Sequence, residues 1–377
     1  MIGAWMLSLV ATAAELVPEA QLRPRWEADT GRDSAPSAGG VSYATMRSRL
    51  GGTLSAGPVA ARVVFADVRV FGEEAHTRQD FSADGMDMPI GTLTWSPGSV
   101  AVTVGRMQTS LLNERLLAIA NWRQPGRSFD GVRLTLDRPA LTLDARALLI
   151  AEGDTHDFAA TDQVTPGEDD QQLFLLAATR GALSAVAVHQ RGTGAQSTAG
   201  LLYDGAPTSA LSVTAEAYAQ LRTEDAGAEL AAMAAVEGLC ALPVAWAPQV
   251  GMQLEWLSGE GAGLSTFDTI YGANHRYYGH IDMINFVEGG NADGQGLVAP
   301  AALLRLAPRE DLSVSLDLHA FFAAQPLDDP FLAVEPDLAA RAVLAEGLSA
   351  VWGVNAWLPA DPAAREVMGW AMLDLRL

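Results

Sequence analysis

Polar and apolar residues alternate along most of this chain. Ala20, Leu22, Pro24, Trp26 and Ala28 share one face of an extended segment, and Gln21, Arg23, Arg25, Glu27 and Asp29 share the other. Leu211, Val213, Ala215, Ala217, Ala219 and Leu221 likewise oppose Ser212, Thr214, Glu216, Tyr218, Gln220 and Arg222. Leu312, Val314, Leu316, Leu318 and Ala320 oppose Ser313, Ser315, Asp317, His319 and Phe321. Period two marks a β-strand with one apolar face. Strands are predicted over 18–28, 41–56, 59–71, 86–95, 99–108, 128–137, 140–150, 170–180, 182–191, 196–203, 208–223, 227–238, 243–258, 297–306, 311–322, 334–343, 347–357 and 365–377, eighteen in all.

The connections carry as much information as the strands. Short turns such as Gly57-Pro58, Ser96-Pro97-Gly98, Arg138-Pro139, Gly181 and Ala345-Glu346 alternate with long loops at 29–40, 72–85, 109–127, 151–169, 259–296 and 323–333. Short turns at one end and long loops at the other define an all-β, up-and-down antiparallel transmembrane barrel of the outer-membrane type. Sixteen strands is the nearest alternative count. An even number leaves both termini at the short-turn, periplasmic end. Leu211, Val213, Leu312, Leu316, Leu373 and Leu375 are expected to face lipid. Glu216, Arg222, Asp317 and Arg133 are expected to face a watery lumen, because a dry core could not hold that many charges.

Composition narrows the picture further. The chain has 377 residues, 24 basic and 45 acidic, for a formal charge of −21, and every basic residue is Arg. So acidic a chain lacks the basic footprint of a nucleic-acid binder. Hydrophobic residues make up 49%, too many for a disordered chain, and one Cys excludes a disulfide framework or cysteine metal site. Met1–Ala14 reads as a signal peptide, an apolar run closing on Ala11-Thr12-Ala13, although no basic residue precedes Arg23. The alternative is a buried first element. The barrel then occupies 15–377. The most apolar later stretch, 226–250, is interrupted by Glu229, Glu237, Pro243 and Pro248, so a membrane helix is not expected there.

Three stretches carry a family resemblance: SVAVTVGRMQTSLLNERLL from Ser99, NWRQPGRSFDGVRLTL from Asn121, and LEWLSGEGAGLSTFDTIYGANHRYYGHID from Leu254. They resemble the alginate export family of outer-membrane β-barrels. The resemblance implies an 18-stranded channel in the outer membrane of a Gram-negative bacterium, passing an anionic polysaccharide such as a polyuronate. The amphipathic last strand is similar to the terminal strand of bacterial outer-membrane proteins, which implies recognition by the barrel-assembly machinery; it ends on Leu377 where those usually end on Phe. This chain is shorter than the family's type member. Its polar faces are also mixed in sign, with Asp67, Asp137, Asp144, Glu216, Glu255, Asp317 and Asp337 among the arginines.

Strand parity places Arg23, Arg25, Arg47, Arg49, Arg69, Arg133, Arg146, Arg222 and Arg341 inward. Guanidinium forks bind carboxylates bidentately and stay charged, so rings of Arg suit an anion path. The competing reading is that these side chains pair with inward Asp67, Asp144 and their like and merely brace the wall. Arg23, Arg25, Arg47 and Arg49, with Arg69 opposite, form the densest basic cluster and are the leading anion-binding candidates. Arg106 lies on the lipid side by strict parity; a bulge at Gly105 would turn it inward. The alternative there is an interfacial Arg reaching the outer rim. Loop 259–296 holds His275, Arg276, Tyr277, Tyr278 and His280 before Gly289, Gly290, Gly294 and Gly296, and is a candidate constriction.

Asp154, Asp157, Asp162, Glu168, Asp169 and Asp170 are read as solvated loop charges, since no EF-hand spacing is present. No metal, cofactor or catalytic signature stands in its required context, and no enzyme is expected. The expected partners are outer-membrane lipid and an anionic polysaccharide or small anionic solute. A general small-solute porin is the alternative function, and a plugged structural barrel a third.

Overall fold

A computed structural model describes residues 14–30, 40–72, 86–151, 171–192, 194–224, 227–261, 263–286, 294–325 and 330–377. Residues 1–13 of the expected signal peptide 1–14, and the acidic loop 152–170, lie outside the described residues. Among the described residues no helix is long and apolar enough to cross a membrane.

The strands are β1 (Glu15–Asp29), β2 (Val41–Ala56), β3 (Val59–Val70), β4 (Asp87–Trp95), β5 (Val100–Met107), β6 (Phe129–Arg138), β7 (Leu141–Ala151), β8 (Gln171–Arg180) and β9 (Leu183–Arg191). They continue as β10 (Ala195–Gly205), β11 (Leu211–Glu224), β12 (Gly227–Ala241), β13 (Gln249–Leu257), β14 (Leu297–Arg309), β15 (Leu312–Ala323), β16 (Phe331–Ala345), β17 (Leu348–Pro359) and β18 (Glu366–Arg376). Each pairs antiparallel with its sequence neighbours in one 18-stranded sheet. Pairing of β1 with β18, through Leu22↔Leu375 and Trp26↔Ala371, closes the barrel and leaves no free edge.

Backbone hydrogen bonding is thus satisfied inside the sheet, the condition for crossing a bilayer with strands. Turns at the periplasmic end are tight. Gly57 between β2 and β3 has φ +57° and Gly181 between β8 and β9 has φ +59°, a left-handed geometry that suits hairpin turns and costs glycine nothing.

Directly opposed residues share a face. Leu50, Phe65, Leu93, Leu134, Leu176, Met252, Leu316, Leu338 and Leu373 point outward and are exposed, a belt that water would not tolerate. Val213, Leu211, Leu312 and Leu375 lie on the same outward faces by register. Arg133, Glu216, Arg222 and Asp317 alternate with outward neighbours and face the lumen, as expected.

Inside, the barrel is lopsided. Leu173, Leu175, Val186, Val188, Met233 and Leu257 on the β8–β13 wall are buried with Leu116, Leu117, Phe267, Tyr278, Ile281 and Ile284 from two inward-folded loops. These are 108–128, between β5 and β6, and the described parts of 258–296, between β13 and β14 (258–261, 263–286 and 294–296), and a short bridge joins them at Leu117 and Tyr271. The opposite wall, from β16 through β18 to β2, holds buried polar side chains instead, among them Arg23, Arg47, Glu335, Asp337, Asn355 and Asp374.

Candidate functional site: an arginine-lined vestibule under two folded loops

Arg115 fastens the first loop to the wall. Its Nε donates to Glu216 on β11 at 2.9 Å, and its Nη1 donates to both carboxylate oxygens of Glu255 on β13 at 2.9 and 2.8 Å. Tyr278 from the second loop donates to the same Glu255 at 2.5 Å, and the Arg115 guanidinium stacks 3.4 Å from the Tyr277 ring. Burial alone would lower the Arg115 pKa; the Glu255 and Glu216 carboxylates outweigh it and hold the group more firmly charged than usual. Burial and Glu255 push the Tyr278 hydroxyl well up, so it stays a donor. Asn113, in the same segment, donates to Glu216 at 2.9 Å and accepts from Tyr277 and Arg276.

The two loops meet again at an aromatic stack. Trp122 lies 4.2 Å from His275, which lies 4.6 Å from His280, both pairs near parallel, and Trp370 of β18 closes the edge. The second loop is anchored to β16 by its own backbone: Ile281 N–H donates to Glu335 at 2.8 Å and His280 N–H to Asp337 at 3.3 Å. Asn355 donates to Asp337 and contacts His280 Nδ1 at 3.0 Å. Burial, then the neighbouring His275, depress the His280 pKa to about 3. His275, Arg276, Tyr277 and Tyr278 do fold into the lumen, with His275 held by Asp282 at 3.1 Å.

The predicted arginines separate into three groups. Arg23, Arg25 and Arg47 are inward but covered by residues 121–124. Arg23 donates to Gln124, Asn121 and Arg123; Arg47 to Gln124 and Asn121; and Arg25 to Trp122 O at 2.5 Å, with Glu27 at 2.7 Å. A second group braces the wall: Asp144 accepts from both Arg133 and Arg146, and Arg222 donates to Gln196. Four inward acids are thereby engaged by arginines. Glu216 and Glu255 belong to Arg115, Asp144 to Arg133 and Arg146, and Asp317 to Arg305.

The third group is open. A hollow of about 420 Å³ at the short-turn end is lined by Glu19, Arg47, Arg49, Arg62, Gln108, Asn121 and Arg376. A second, about 360 Å³, is lined by Arg23, Asn121, Arg341, Ser349, Asp374 and Arg376. Both end on Asn121. Four open arginines, Arg49, Arg62, Arg341 and Arg376, with the covered Arg23 and Arg47 behind Asn121, thus face Glu19 and Asp374, and those two acids are already bonded to Arg62 and Arg376. Arg49 donates once, to Gln108 at 3.0 Å, while its Nε and Nη2 have no partner among the described residues.

Three sequence expectations need correction. Asp67 and Arg69 face outward, not into the lumen: Asp67 opposes Ser48 and Arg69 opposes Met46, whereas Arg47 and Arg49 oppose Val68 and Ala66. They pair with each other at 2.7 Å on the outer face. Arg106 also stays outside. The β5–β6 register runs unbroken from Val100↔Leu136 to Met107↔Phe129, so Gly105 hosts no bulge, and Arg106 binds Asp130 at 2.8 Å. All three sit near the loop end of their strands. Outward charges there can reach interfacial water, so polarity no longer reports which face is wet.

Arg62 and Arg376, both open to the vestibule, were not singled out from sequence. For Arg62 the misleading signal was its own strand, where Asp67 and Arg69 have the opposite parity. Arg376 alternates with Leu373 and Leu375, on the face of β18 that also carries Asp374, and that parity suffices to find it. Asn121, Gln124 and Arg115 carried no periodic signal at all.

A closed antiparallel barrel with an apolar belt and a polar interior defines an outer-membrane β-barrel channel. The Alginate export family model matches residues 18–336, and the chain belongs to that family. It is a passive channel of the Gram-negative outer membrane. No curated protein matches it in sequence. Among solved structures, OccK11 (OpdR) of Pseudomonas aeruginosa superposes with a TM-score of 0.65 at 14% identity, covering 96% of each chain. OpdK of the same organism, solved with vanillate, gives 0.64 at 13% over 96% of this chain and 98% of that one. A BenF-like porin from Pseudomonas fluorescens gives 0.63 at 12% over 96% and 98%. At these identities the likeness concerns the fold.

Proposed function

We propose that this channel passes an anionic polysaccharide of the polyuronate type, or its fragments. One observation carries the reading: four open arginines, backed by Arg23 and Arg47, converge on two adjoining hollows in which the acidic side chains among the described residues, Glu19 and Asp374, are already engaged. The chain as a whole is strongly acidic, so this cationic interior is a local construction. A string of carboxylates can move between such forks by exchange, each site strong enough to enter and weak enough to leave.

The experiment is ion selectivity in planar bilayers. Arg49→Ala combined with Arg376→Ala should lower anion over cation permeability and reduce the block of current by added polyuronate. Unchanged selectivity would sink the reading. A small-carboxylate porin is the second reading, favoured by the size of the hollows, which lies in the range of small-ligand sites. Vanillate in the OpdK structure is itself a small carboxylate. Block that is independent of oligouronate length would favour it.

A further inference from the structure

Arg23 on β1 and Arg47 on β2 are direct cross-strand partners, only 2% and 1% exposed. Two like charges opposed at that spacing repel, and buried charges are normally neutralised by counter-charges. Here every acceptor is uncharged, and all come from residues 121–124. Arg23 Nε donates to Gln124 Oε1 at 2.9 Å, Nη1 to Asn121 O at 2.8 Å and Nη2 to Arg123 O at 3.2 Å. Arg47 Nη1 donates to Gln124 O at 3.3 Å and Nη2 to Asn121 Oδ1 at 3.1 Å, while its buried Nε has no acceptor among the described residues. The segment enters this position through Ala120 at φ +49°, a left-handed conformation that an alanine adopts only when held there.

We infer that Arg23 and Arg47 form a latent carboxylate-binding site, occupied in this structure by the chain's own Asn121 and Gln124, which an arriving polyuronate displaces. The inference rests on the anion-path reading above and adds to it a site and its occupant. Asn121 presents an amide oxygen and a carbonyl to two guanidinium groups, the places a uronate carboxylate would take. A carboxylate makes charge-assisted bonds about twice as strong as those of neutral acceptors, and it adds a directly bonded counter-charge to the more distant one of Asp374. Access exists, because both hollows end on Asn121.

Displacement must break the remaining ties of the segment: Gln124 Nε2 to Thr45 Oγ1 at 2.9 Å and to Arg23 O at 3.2 Å, and the Arg25 bond to Trp122 O. A monomer replaces few of them. A polymer brings successive carboxylates at high effective concentration once the first is bound. Release therefore depends on chain length as well as charge.

Thr45 lies buried beneath Gln124 and reports the opening. In a Thr45→Cys, Cys240→Ser protein, an oligouronate should speed maleimide labelling of Cys at 45 by about tenfold, the change that 1.4 kcal/mol of segment opening gives. A neutral oligosaccharide of equal length should not. Asn121→Gly with Gln124→Ala in that background should label fast without ligand. Hydrogen exchange of amides 119–125 in the unsubstituted chain, with and without oligouronate, gives the same readout should the Cys variant fail to fold. If labelling and exchange ignore an oligouronate that still blocks current, the latent site is wrong and the anion path stands. If the oligouronate neither blocks nor labels, both fall.

Discussion

Arg115, on the loop after β5, donates to both oxygens of Glu255 on β13, 140 residues away in sequence. With Glu216 at its Nε, this guanidinium bonds two buried carboxylates at once and offsets one of their two charges. Removing it should leave them uncompensated. Arg115→Met is expected to cost about 3–5 kcal/mol, as breaking a buried ion pair does, and to free the loop. The check is the thermal midpoint of heat-modifiable mobility in detergent. Adding Glu216→Gln and Glu255→Gln should restore much of the loss, because no charge is then stranded; a triple variant as weak as the single one would show that packing dominates.

The two outward arginines provide a control on lumen assignment. Arg69 and Arg106 pair with Asp67 and Asp130 on the lipid side. Arg69→Ala and Arg106→Ala, singly or together, should leave ion selectivity at the parent value. A drop comparable to that of the Arg49 and Arg376 variant would place them in the conduction path and overturn the register argument.

Acid should loosen the second loop. His280, inside loop 258–296, has its pKa depressed by burial, then by His275, to about 3 from 6.5. Above pH 6.5 both docked and undocked forms are neutral and nothing changes. Below it the undocked form takes up a proton that the docked form refuses, so docking weakens as pH falls toward 3. At pH 5 the loss is about 2 kcal/mol for one such site. Hydrogen exchange over 270–285 should therefore be faster at pH 5.0 than at 7.5, and His280→Gln should flatten the dependence. Equal protection at both values would rule His280 out as the sensor.

Facing along β13 can be tested one residue apart. Leu254 is outward and half exposed in the belt, beside Val236 of β12, and Glu255 is inward and fully buried. Leu254→Arg should destabilise the barrel by about 2–4 kcal/mol if it sits near the bilayer midplane, measured as reversible unfolding from lipid vesicles. A neutral outcome would mean that β13 is slipped by one residue.

The number of strands, their order and the lipid-facing set were legible from the chain alone. The reason is that each strand meets two solvents, lipid and water, and period-two alternation records that contact locally, residue by residue. Leu316 and Asp317 declare their sides without reference to anything distant. That signal fails where the two solvents are no longer distinct. At the rim, Asp67, Arg69 and Arg106 can reach water from the outer face, so their charge said nothing of the lumen. It also cannot say what lies against an inward side chain. Arg23, Arg47 and Arg49 look alike in sequence, yet residues 121–124 cover the first two and leave the third in the vestibule. Those contacts join positions about 60 to 100 apart, through a loop with no periodicity, so only the folded chain could decide which arginines are open. The family motifs tell the same story: Asn113, Arg115, Trp122, His275 and Tyr278 are spread along the sequence because their shared task, packing two loops against one wall and each other, exists only in three dimensions.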